Sequence, residues 1–199
     1  MSGSKSEPDL TAAVAAIRRG DLVVYPTETV YGLGADALDP EAVERVFEAK
    51  NRPREQPISM ALSEFSVAAD YTRITERERR FCQRFLPGPV TVLVERTDRV
   101  PDVLVAGRSR VGLRVPDHDL ARDLARRTGP ITATSANRSG EPSARRVDEI
   151  DPQIRARATV VDGGETPGGE STVVDVSANR IVRSGLLADE IAAWLADSS

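Results

Sequence analysis

At 199 residues, 40% of them hydrophobic and 29% charged, the chain fits one globular domain with a substantial core. Its net charge of −4 gives no bulk attraction to nucleic acid, and a single Cys with a single His excludes a Cys/His zinc site and an intramolecular disulfide, and disfavours a His-based triad. No apolar run approaches the roughly 20 residues of a membrane span and no cleavable signal is visible, so the cytoplasm is the expected compartment.

Met1 to Pro8 is small and polar and reads as a disordered tail, leaving 9–199 as one domain. Leu10, Val14 and Ile17 recur at helical spacing, with Asp9 as N-cap and Gly20 as stop. The β-branched run Leu22 to Tyr25 predicts a strand ending at Pro26. Asp39-Pro40 opens a second helix whose apolar stripe, Val43, Val46 and Phe47, carries it to Lys50. Pro57 to Leu62 reads as a strand, and Thr75 to Phe85 as a charged amphipathic helix closed by Pro87-Gly88-Pro89. Strands follow at Val90 to Glu95 and Val111 to Val115, then a helix from Asp117 to Arg127, and a strand from Ile131 to Thr134. Further strands are read at Thr159 to Val161, Thr172 to Val176 and Arg180 to Arg183, before a closing helix, Ala188 to Ala196, whose Trp194 belongs to the core. Strands interleaved with helices mean an α/β domain. Neighbours such as Val173 to Val176 and Ile181 to Arg183 are too close for a helical crossover, so the sheet is mixed parallel and antiparallel.

Three segments carry candidate chemistry. Pro26-Thr27-Glu28-Thr29-Val30-Tyr31-Gly32-Leu33-Gly34 follows a strand directly, where α/β sheets place ligand loops. It reads equally as a polar-ligand loop or as an ordinary turn. Lys50-Asn51-Arg52-Pro53 comes next. Lys50 is one of two lysines among 27 Lys and Arg, in a chain that otherwise chooses Arg. A compact ammonium followed by a bidentate guanidinium suits phosphate oxygens, although a last-turn cation also suits a helix dipole. The third segment, Thr132-Ala133-Thr134-Ser135-Ala136-Asn137-Arg138-Ser139-Gly140, is small and rich in hydroxyls after a strand, and reads as a ligand loop or as a generic Ser/Asn loop. Gly164 to Ser171 has the glycine spacing of a P-loop, but Glu170 stands in the lysine slot and a strand follows. It is rejected as a Walker motif and kept as a lid or ligand loop ending at Ser171. Arg114 and Arg183 sit at strand ends as surface cations or anion contacts. His118 reads as a helix-capping residue, and Cys82 as structural.

In order, PTETVYGLG (26–34), KNRP (50–53), PGPVT (87–91), GLRVPDH (112–118), TSANRSGEPS (134–143), STVVDV (171–176) and RSG (183–185) resemble the YrdC family of threonylcarbamoyl-AMP synthases, over nearly all of the folded chain. The resemblance implies a twisted mixed sheet with a concave basic cavity, in the short single-domain form. It implies condensation of L-threonine, bicarbonate and ATP, with Mg2+ carried by ATP, into threonylcarbamoyl-AMP and pyrophosphate. A separate transferase complex then completes threonylcarbamoyladenosine beside the tRNA anticodon, and weak tRNA or double-stranded RNA binding is a further partner expectation. Carried onto this sequence, Lys50 and Arg52 are catalytic. Lys50, Arg52, Ala133, Ser135, Asn137, Ser143 and Arg183 bind ATP, and Thr27, Tyr31, Arg114 and Ser171 bind threonine; no residue is assigned to a metal. One departure stands out: many relatives carry a His where this chain has Ala61. Two alternatives remain, a carbamoyl-adenylate-forming module using carbamoyl phosphate and a non-catalytic RNA-binding module. The second is disfavoured by an aromatic content of 4%.

Overall fold

The computed structural model describes residues 9–197; the tail expected at 1–8 lies outside the described residues. Helix α1 (Thr11–Arg18) begins where Asp9 Oδ1 accepts from the Thr11 amide at 2.9 Å, one position further out than an N-cap, and Gly20 ends it at φ +80°. Strands β1 (Leu22–Tyr25) and β2 (Gly32–Gly34) lead to α2 (Pro40–Lys50). Asp39 caps α2 through the Glu41 amide, and Asn51, at φ +48°, stops it. Next come β3 (Ser59–Ala61), a 3-10 turn at Phe65–Asp70, β4 (Thr72–Arg73) and α3 (Glu76–Phe85), which opens on a Thr75/Glu78 capping box. Then follow β5 (Val90–Arg96), α4 (Asp102–Val105), β6 (Arg110–Arg114), α5 (Asp119–Thr128) and β7 (Ile131–Ser135). A 3-10 turn at Val147–Glu149 precedes α6 (Pro152–Arg157), β8 (Ala158–Val160), β9 (Thr172–Asp175), β10 (Arg180–Arg183) and α7 (Ala188–Asp197).

Ten strands form one mixed sheet in the order β10-β9-β5-β6-β3-β7-β2-β1-β8, with β4 beside the far end of β5. Pairings β1–β8, β3–β6 and β5–β9 are parallel and the rest antiparallel, as the short connections require.

Several expectations are corrected. Gly32 to Gly34 is a central strand, not loop. Its glycines are required because the Tyr25 ring lies across them, and a Cβ at Gly32 would come within 2.8 Å of that ring. The strand at Pro57 to Leu62 shortens to Ser59–Ala61, and α5 starts at Asp119, with His118 at the N-cap position but giving no side-chain cap. Short elements β4, α4 and α6 escaped notice, although Asp151-Pro152 repeats the cap-and-proline signature of Asp39-Pro40.

The two faces of the sheet explain where a ligand can sit. One set of alternate residues (Ile58 and Met60 on the β3 side, Val90, Val92 and Val94 on β5, Val111 and Leu113 on β6) packs into the main core beneath α2, α3, α4, α6 and α7. Trp194 joins that core edge-on to Phe81, and Cys82 is buried in it, its thiol pushed up to about 12 chiefly by burial and then by Glu78. On the opposite face α1 and α5 cover the sheet, over Val23, Tyr25, Ala61 and Ile131. Where that cover ends, the outward set turns polar, and the face becomes the floor of a cavity.

Candidate active site

The uncovered face encloses a cavity of about 660 Å³. Nine of the eleven residues singled out from the sequence line it: Thr27, Tyr31, Arg52, Arg114, Ala133, Ser135, Ser143, Ser171 and Arg183. Lys50 and Asn137 do not. Lys50 is 1% exposed, and its Nζ donates to the Ser135 carbonyl and, at 2.6 Å, to the Asn137 carbonyl. Asn137 spends its amide on the carbonyls of Arg138 and Glu141, closing its own loop. These two residues hold the Ser135 loop from behind and support the cavity wall. Burial, reinforced by the nearby Arg52 charge, lowers the Lys50 pKa to about 7.

The lining carries five arginines (Arg52, Arg108, Arg110, Arg114 and Arg183) and one carboxylate, Glu170. An acidic chain thus encloses a cationic hollow, which concentrates anions. Among the described residues Arg52 donates only to backbone, the carbonyls of Gln56 and Pro57 at 3.0 Å, and its pKa is lowered by burial and then by Arg183. Arg183 Nη2 donates to the Ser171 carbonyl at 2.9 Å and hydroxyl at 3.1 Å, with Glu170 as a loose partner at 3.9 Å. Two guanidiniums that repel each other across a cavity are set for a polyanion.

The other end is built differently. Arg114 forms a buried ion pair with Glu28 at 2.9 Å and also donates to Thr29 Oγ1 at 3.0 Å. Thr29 in turn meets Thr27 Oγ1 at 3.0 Å, and Thr27 donates to the Val30 carbonyl. Glu28 Oε2 and Arg114 Nε are buried without partners among the described residues. Tyr31 works through the glycine-rich segment: its hydroxyl donates to the Gly164 carbonyl at 2.7 Å and accepts from the Gly163 amide at 3.1 Å. The Gly168 amide is also tied to the Thr29 carbonyl. That segment is a strap beside the cavity, ending at Ser171, in keeping with its rejection as a P-loop. His118 does not line the cavity; burial lowers its pKa, against the opposing pull of Glu28.

Sequence reasoning missed Ser59, Thr91, Arg108 and Arg110, which also line the cavity. The signal was present, since Gly112 and Arg110 fall at two-residue steps from Arg114 on β6 and so share its face.

Residues 15–185 match the family model Sua5_yciO_yrdC, described as "Telomere recombination". The chain belongs to the Sua5/YciO/YrdC family. A threonylcarbamoyl-AMP synthase of Pyrococcus abyssi is 41% identical over 169 residues, covering 83% of this chain and 50% of its own length. The Vibrio campbellii protein of the same name is 30% identical over 176 residues, covering 85% and 95%. A crystal structure of Pyrococcus abyssi Sua5 complexed with L-threonine superposes with a TM-score of 0.84 at 38% identity, covering 92% of this chain and 56% of that one. The chain thus spans about half the length of the Pyrococcus relative. Ala61, the position where the family resemblance leads us to expect His, is fully buried under α1 and α5 and does not line the cavity.

Proposed function

We propose that the chain condenses L-threonine, bicarbonate and ATP into threonylcarbamoyl-AMP with release of pyrophosphate, as one cytoplasmic domain over 9–199. The observation that carries this reading is the meeting, in one cavity, of Arg52, bonded only to carbonyls among the described residues, and Arg183, with Glu170 as a loose partner at 3.9 Å, with the Arg114–hydroxyl cluster. The two arginines suit a triphosphate and the cluster an amino-acid carboxylate.

The threonine amine adds to CO2 derived from bicarbonate, losing a proton to give a carbamate. A carbamate oxygen attacks the α-phosphorus, the bond to the β-phosphate oxygen breaks, and pyrophosphate leaves. Little proton relay is needed, so the protein positions reactants and stabilises phosphate charge. Arg52 and Arg183 hold the phosphates, with Ala133, Ser135 and Ser143 along the nucleotide. Lys50 and Asn137 fix the Ser135 loop. Thr27, Arg114 and Ser171 orient threonine, and Tyr31 anchors the strap.

Among the described residues no cluster of three His, Cys, Asp or Glu could hold a metal. A lining with Glu170 as its one carboxylate fits Mg2+ carried on ATP oxygens and water. Bound there, Mg2+ would neutralise part of the triphosphate charge. The product would pass to a tRNA threonylcarbamoyl transferase complex, with weak tRNA or double-stranded RNA binding at most. Among the described residues no helix is long and apolar enough to cross a membrane.

Pyrophosphate release, measured with threonine, bicarbonate and ATP omitted in turn, tests the proposal. Release should require all three. Turnover without threonine but with carbamoyl phosphate would replace this reading with the carbamoyl-adenylate one, and salt-sensitive RNA affinity without pyrophosphate release would replace it with RNA binding.

A further inference from the structure

We infer that Ser59 is a specificity-determining residue, its hydroxyl reading the β-hydroxyl of the bound amino acid beside a methyl wall supplied by Thr91. This rests on the function proposed above and names the feature by which the site would tell threonine from its neighbours in size.

Strand β3 lies mid-sheet. Ile58 and Met60 point into the main core, so Ser59 stands on the cavity floor. Its flanking positions are the smallest available. Ser59 pairs with Ala133 on β7, and Gly112 lies beside it on β6, where Met60 pairs with Leu113. A Cβ at Gly112 would crowd the Ser59 hydroxyl and lie 3.0 Å from Thr91 Cγ2, so a side chain there would force its neighbours to shift. The hydroxyl therefore leans over bare backbone, with the Thr91 methyl facing it across the strand.

Ser59 Oγ has no hydrogen-bond partner among the described residues, whereas Thr27, Thr29 and Ser171 are bonded within the protein. Thr91 Oγ1 turns toward Ser171 at 3.5 Å, which leaves its methyl for the floor. An unspent hydroxyl beside a methyl is the complement of a side chain that carries one of each. Arg114 projects from the same face of β6 two residues beyond Gly112, about 6.6 Å along the strand, within reach of the carboxylate of the same amino acid.

The test is calorimetric titration of L-threonine, L-valine and L-serine into the full chain with ATP present, repeated with Ser59→Ala and Thr91→Ser. The parent should bind threonine about tenfold more tightly than valine, its near-isostere without the hydroxyl. Ser59→Ala should weaken threonine about tenfold, leave valine within about twofold and keep the parent ATP affinity, a pattern that general loss of structure would not give. Thr91→Ser removes only the methyl and should lower the threonine-to-serine ratio about fivefold. If Ser59→Ala keeps the parent threonine-to-valine ratio, the inference is overturned while the proposed function stands. If the parent binds no threonine at all, both fall.

Discussion

Arginines that line the same cavity meet opposite fates. Arg110 is held by two carboxylates: Nη1 bonds Asp175 at 2.7 Å, and Nη2 bonds Glu78 at 3.1 Å, a carboxylate whose side chain is 4% exposed. Among the described residues Arg52, in the loop after α2, is satisfied by carbonyls alone, and Arg183, at the end of β10, has Glu170 no nearer than 3.9 Å. A cation paired with two carboxylates ties β6 to α3 and β9 and is spent on the fold. A half-buried cation beside another cation costs the fold something and is left over for a ligand. The contrast separates scaffold from site among residues of one chemical type.

That separation can be broken experimentally. The largest effect should come from Arg110→Met, which leaves Glu78 and Asp175 buried without their partner and should cost about 3–5 kcal/mol of unfolding free energy in urea. A loss below about 1 kcal/mol would mean the cluster is not structural. Arg52→Ala should weaken ATP about a hundredfold, about 3 kcal/mol, with no loss of thermal stability because a repulsion with Arg183 is relieved. Equal losses of ATP affinity and stability would erase the distinction between the two groups.

Lys50 sharpens the comparison, being a cation buried without any carboxylate. Its folded pKa of about 7 lies below the unfolded value of 10.5, so the unfolded chain holds more protons between those limits. Stability should therefore rise with pH from about 7 to 9, by at most about 1.4 kcal/mol per unit, as the burial penalty fades. The neutral amine keeps two N–H groups for its two carbonyls, so deprotonation leaves the loop held. Lys50→Met should flatten this rise, and urea titrations at several pH values would read it. The smallest effect should be that of Gly112→Ala, about 1 kcal/mol from crowding Ser59 and Thr91, seen with weaker threonine binding and unaltered ATP binding.

Much of this was legible in the sequence where local chemistry decides. Asp39-Pro40 fixed the start of α2, Thr75 and Glu78 fixed that of α3, and β-branched runs marked β1, β5 and β9. Strand β2 was not legible, because Gly-Leu-Gly becomes a strand only through pairing with β1 and β7 under the Tyr25 ring. Lys50 was visible as an unusual cation. The direction of its side chain depends on how α2 docks behind the Ser135 loop, a tertiary fact with no local mark. Ser59 was hidden for the same reason, since a lone Ser in a short strand gains meaning only when Gly112 and Ala133 are seen to flank it.

The alternation along β3, β5 and β6 divides labour by parity. Even positions of β3 and β5, and odd positions of β6, anchor the main core, while Ser59, Thr91, Leu93, Arg110, Gly112 and Arg114 of the opposite set line the cavity. Arg110 apart, whose two carboxylate partners tie it to the fold, evolution or a designer can therefore retune what the cavity accepts by changing one register of residues while the other keeps the sheet folded, so substrate preference can drift in this scaffold faster than stability does.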